Sequence, residues 1–95
     1  MFKIDLKTTK KTAITKAPLG NLDGIELDGN GGYWVSDWVA GKVFRISAKG
    51  EPKEVVSGIK GCADIGFMAD KHILLVPAMG ENRILAFETL TTAVN

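Results

Sequence analysis

At 95 residues the chain is the size of one small domain, and such a domain buries roughly 60 to 70% of the surface its unfolded form exposes, enough for one core but not two. Hydrophobic residues at 45% and charged residues at 24% argue against disordered, collagen-like and membrane classes. Twelve Lys and Arg against eleven Asp and Glu give a net charge of +1, too even a balance for the phosphate-neutralising surface that nucleic-acid binding needs.

Residues 1–6 contain no apolar h-region, and no stretch approaches the length of a membrane span, so neither a signal peptide nor a transmembrane segment is expected and no compartment is assigned. Segments 2–6 and 12–15 read as short strands. Lys3, Lys7, Lys10, Lys11 and Lys16 crowd this stretch, with only Asp5 to offset them. The plain reading is a guarded sheet edge, where Lys is common, and no anionic partner is assigned to it.

From residue 22 the hydrophobic period is two. Segment 22–28 alternates and stops at Asp28-Gly29-Asn30-Gly31-Gly32, a run that supplies positive-φ positions at little steric cost. Tyr33-Trp34-Val35-Ser36 follows as an aromatic and β-branched strand, and Val39-Ala40-Gly41-Lys42 turns the chain. Val43-Phe44-Arg45-Ile46 is a third strand, Lys49-Gly50-Glu51-Pro52 a turn, and 53–56 a fourth strand. Strands are expected again at 62–67, 72–76 and 83–88, with Ala69-Asp70-Lys71 and Met79-Gly80-Glu81-Asn82 as turns and no fourth strand before Asn95. Nowhere does the i, i+3, i+4, i+7 spacing of an amphipathic helix occur.

Single residues limit the chemistry. Cys62 is the only cysteine, which excludes an intramolecular disulfide and a cysteine-based zinc cluster; its apolar neighbours suggest a buried, inert thiol. His72 is the only histidine and has no partner for a zinc site or a catalytic triad. Gly29-Asn30-Gly31-Gly32 joins two strands and opens no helix, so its glycines shape a hairpin and not a phosphate-binding loop.

The strands repeat. Laying Leu22-Asp23-Gly24-Ile25-Glu26-Leu27 over Cys62-Ala63-Asp64-Ile65-Gly66-Phe67 puts Ile25 over Ile65 at an offset of 40, while Val43-Phe44-Arg45-Ile46 falls over Ile84-Leu85-Ala86-Phe87 at an offset of 41. Four strands in about forty residues is the arithmetic of a propeller blade. The expected fold is therefore all-β: a partial β-propeller of about two and a half four-stranded antiparallel blades. Residues 1–17 form a partial blade, 18–58 a full blade and 59–95 a three-stranded one. A β-sandwich would suit the strand number but leaves the self-similarity unexplained.

The run Leu22-Asp23-Gly24-Ile25-Glu26-Leu27-Asp28-Gly29-Asn30-Gly31-Gly32-Tyr33-Trp34-Val35-Ser36-Asp37-Trp38, with Gly41-Lys42-Val43-Phe44-Arg45-Ile46 after it, resembles the blade signature of the gluconolactonase and regucalcin-like family of six-bladed propellers. More loosely, it is similar to NHL-repeat propellers. The resemblance spans nearly the whole chain and is greatest to the C-terminal third of a member. It implies a divalent cation, calcium or zinc, at one mouth of a central channel, held by a carboxylate, two asparagines and an aspartate in an Asp-Gly motif. Asp23-Gly24 matches that motif, which makes Asp23 the metal-ligand candidate, since a hard cation wants converging oxygens. The alternative is that Asp23 bonds its own turn. Asp64, one position out of register with Asp23, is the second candidate. The family's N-terminal glutamate and mid-chain asparagines belong to blades this chain lacks, so one copy does not complete the site.

No catalytic residue is assigned. Asp37-Trp38 follows the second strand, where hydrogen bonding into the adjacent loop is the plainer reading and substrate contact the alternative; its match in the second unit falls close to Pro77, which argues against a repeated ligand code. Trp34 and Tyr33 point to opposite faces, and packing between blades is preferred to ligand stacking. The expected function is a binding or scaffold module without independent catalysis, because propellers host many unrelated activities. The alternative is metal-dependent lactone hydrolysis by an assembled ring.

An open arc of blades leaves apolar faces uncovered. The expected partner is a second copy: a homo-oligomer, trimer or dimer, joined through blade faces and edge strands, with strand 12–15 of one copy completing the three-stranded blade of the next. A longer parent propeller is the alternative, and neither nucleic acid nor membrane is expected as a partner.

Overall fold

Alternating apolar residues between glycine-bearing turns form nine strands in the computed structural model, which describes residues 1–89. β1 (Phe2–Ile4) and β2 (Lys11–Ala13) make a two-stranded sheet; β3 (Leu22–Leu27), β4 (Tyr33–Asp37), β5 (Lys42–Ile46) and β6 (Pro52–Val56) make a four-stranded meander; β7 (Gly66–Met68), β8 (Ile73–Ala78) and β9 (Arg83–Glu88) make a three-stranded one. All pairings are antiparallel. A single 3-10 turn, Met79–Glu81, joins β8 to β9. Among the described residues no helix is long and apolar enough to cross a membrane. The expected absence of a fourth strand before Asn95 concerns residues outside those described.

The repeat is written into the strand registers. Leu22 pairs with Asp37, Glu26 with Trp34 and Leu27 with Tyr33; Cys62 pairs with Ala78, Gly66 with Leu75 and Phe67 with Leu74. The offset is 40 in the first strand and 41 from the second onward. The extra residue lies in the connecting loop, with five residues between Leu27 and Tyr33 and six between Phe67 and Leu74. The β4–β5 pairs recur 41 residues later in β8–β9. Left-handed turn positions recur as well: Gly41 at φ 66° corresponds to Asn82 at φ 54°, and Gly and Asn tolerate that region best. The first hairpin repeats β5–β6 down to its irregularity. Ile14 N and Thr15 N both donate to Met1 O, at 2.9 and 3.5 Å, where the second hairpin shifts register between Val43 and Phe44.

Two expectations need correction. Segment 62–67 is not one strand: Cys62 makes an isolated bridge to Ala78, 63–65 are unpaired in the ladder, and β7 begins at Gly66. The same place in β3 carries a bulge between Leu22 and Ile25, so the ladder is locally disrupted in both units. His72 lies in the turn before β8 at φ 54°, where its carbonyl accepts from Thr89 N at 2.8 Å and Thr89 Oγ1 at 3.0 Å. The match of Asp37 is Ala78, next to Pro77 as expected, and Pro77 itself stands at the position of Ser36, because the offset in these strands is 41.

Side chains alternate across a strand, so Trp34 and Val43 share one face of the four-stranded sheet, while Leu74, Val76 and Ala78 share the facing side of the three-stranded sheet. With Ile59, Cys62 and Ile65 they form the core between the two sheets. Trp34 and Phe67 meet with ring centroids 5.4 Å apart at 49°, a tilted arrangement that aromatic pairs favour. Each large side chain fully buried here contributes about 1.5–3 kcal/mol. On the opposite face of the four-stranded sheet Val35 and Ile46 are also buried, yet Ile25 and Leu27 beside them on β3 are 53% and 70% exposed. Cover stops short of the first strand.

Candidate functional site

The first strands of the two larger sheets, β3 and β7, adjoin, and Gly24 is what lets them approach. A Cβ on Gly24 would lie 2.7 Å from Ile65 N and 2.8 Å from Asp64 Cα, nearer than any side chain tolerates against backbone. The bulge in β3 leaves Gly24 out of the ladder register, and its N–H donates instead to Ser36 Oγ at 2.8 Å. Ser36 Oγ in turn donates to Ala63 O at 2.9 Å. One fully buried hydroxyl thus satisfies a backbone donor in one sheet and a backbone acceptor beside the next, where each would otherwise be costly to bury. Ser36 was not singled out by the sequence; the available signal was a hydroxyl flanked by buried strand residues, which must find a partner.

Asp23 and Asp64 stand at this junction. Both are exposed, and Asp64 Oδ1 lies 2.7 Å from the place of a Gly24 Cβ, so Asp64 abuts the strand position next to Asp23. Two carboxylates supply only part of the six to eight oxygens calcium takes or the four ligands zinc takes. Among the described residues no three His, Cys, Asp or Glu side chains group as a metal site. The pair does not make a complete site by itself.

The other polar residues of the junction hold loops. Asp37, 3% exposed, accepts from Ala40 N at 2.9 Å and from Asn21 N at 3.3 Å, the expected bonding into adjacent loops. Asp28 closes the β3–β4 turn by accepting from Asn30 N at 2.7 Å and Gly32 N at 2.9 Å. Its other oxygen meets Arg45 Nε and Nη2, each at 3.3 Å, and the Arg45 guanidinium lies 5.2 Å from the Trp34 ring. Trp34 Nε1 has no hydrogen-bond partner among the described residues. Cys62 is fully buried; burial pushes its thiol above the ordinary range, and the charges of Asp37 and Asp23 add to the shift.

Comparison of the chain with protein-family models and with curated proteins finds no match to either.

Proposed function

We propose that the three sheets are successive parts of a β-propeller, two and a half blades in all, and that the chain is a binding or scaffold module whose working surfaces are its sheet faces. The carrying observation is the recurring register, with the first strands of consecutive meanders adjoining at Gly24 and Asp64. Antiparallel meanders repeated at about forty residues are what radial stacking of blades requires. The Ser36 bridge supports this reading, because it ties β3 and β4 of one sheet to the segment that leads into β7 of the next. Ser36→Ala strands Gly24 N–H and Ala63 C=O and is expected to cost about 2 kcal/mol, a Tm fall on the order of 10 °C. Calorimetry that finds no loss removes the bridge as a blade-stacking element.

A second reading is lactone hydrolysis by a metal-bearing ring, favoured by Asp64 lying against Gly24, the residue after Asp23, at the junction. A bound divalent ion would polarise the lactone carbonyl or activate water; Asp23 is the residue that would hold it, with Asp64 beside it and the remaining ligands supplied by other sheets. Lactone turnover and calcium or zinc titration, run on the wild-type chain and on Asp23→Ala, separate the readings. The scaffold reading expects no turnover in either protein; turnover lost with Asp23 overturns it in favour of the hydrolase.

A further inference from the structure

Positions of the repeat that are buried at the junction between the two larger sheets are exposed where those sheets face outward. Cys62 and Ile65 are 0% and 4% exposed against the four-stranded sheet; Leu22 and Ile25, at the same positions of the preceding unit, are 37% and 53% exposed. At the other end, Val43 is fully buried in the junction, whereas its equivalent Ile84 is 69% exposed. Among the described residues, part of each half of the internal interface is therefore uncovered, one on β3 and one on β8–β9.

Resting on the reading of the sheets as blades, we propose that the occupant of each face is a second copy of this chain, bound head to tail. The β8–β9 face carrying Leu75, Pro77 and Ile84 packs on Leu22, Ile25 and Leu27 of the next copy and repeats the first-strand part of the packing seen within one chain, Val35 and Ile46 beside that strand being already covered. The internal junction joins unlike faces, which is what gives the proposed contact its head-to-tail sense. Pro77 replaces the Ser36 hydroxyl in this face, so the contact between copies is apolar and carries no counterpart of the hydroxyl bridge. A heterologous contact of this kind closes into a ring when the rotation per copy allows and otherwise extends.

Sedimentation of the 95-residue chain over a wide concentration range tests the proposal. The wild type is expected to form species larger than a monomer. Ile25→Asp and Ile84→Asp alter exposed side chains and should leave circular dichroism unchanged, yet each should sediment as a monomer. Mixed in equal amounts they should form a dimer and nothing larger, because each supplies the face the other has lost. Three results overturn the proposal: a monomeric wild type, either single variant remaining dimeric, or a mixture that stays monomeric. A monomeric wild type excludes the second copy but leaves the blade reading standing, since Ser36→Ala tests that within one chain.

Discussion

Cys62 is the residue whose surroundings decide most about it. Its Sγ lies 3.5 Å from Lys42 O, inside the core between the larger sheets, and the thiol keeps its proton to higher pH than a thiol in water. The sign of the pH effect follows. A group whose folded pKa is raised contributes stability that is complete below the unfolded value, about 8.5, and is lost as pH rises toward the folded one. The urea midpoint should therefore fall between pH 8 and pH 10, and Cys62→Ala should show a smaller fall over the same interval; an equal fall in both proteins would remove Cys62 as the cause. At this scale the sequence was partly legible. A lone cysteine among apolar residues reads as buried without any structure, but the Ser36 bridge and the Asp28–Arg45 pair do not announce themselves, because the residues they join lie 12 to 27 positions apart.

Strands were the most readable level. Alternation and turn glycines locate β3 to β6 within a residue or so, because local pattern and tertiary burial agree there. The failure at 62–67 has a definite cause: the backbone of 63–65 is drawn to the neighbouring sheet, with Ala63 O taken by Ser36, and no local pattern encodes that. Gly24 is the matching element on the other side. Its φ lies outside the left-handed region, so glycine is required by space alone. Gly24→Ala drives a methyl into the Asp64–Ile65 backbone and is expected to destabilise by about 1–3 kcal/mol, read as a lowered urea midpoint. A wild-type midpoint would mean that the two first strands separate freely. The metal candidates show the same division: Asp23 and Asp64 could be named from the sequence, but that Asp64 lies against Gly24, the residue after Asp23, across a sheet junction depends on the stacking.

For the whole molecule, the decisive fact is that stacking is directional. The two larger sheets meet through unlike faces, and the exposed Ile25 and Ile84 occupy the repeat positions of Ile65 and Val43, which lie buried on opposite sides of that junction. The head-to-tail mixture experiment belongs to this scale because only an assembly of directed units gives complementation between two inactive variants. A comparable point attaches to the single extra residue between Phe67 and Leu74. A one-residue change inside a strand would turn every later side chain to the wrong face; placed in the loop, it leaves all downstream pairing intact. Tandem copies of such a unit can thus drift in length through small insertions and deletions while remaining interchangeable in the stack. Recombination between unequal copies would then yield chains with more or fewer units, each still able to interlock with its relatives.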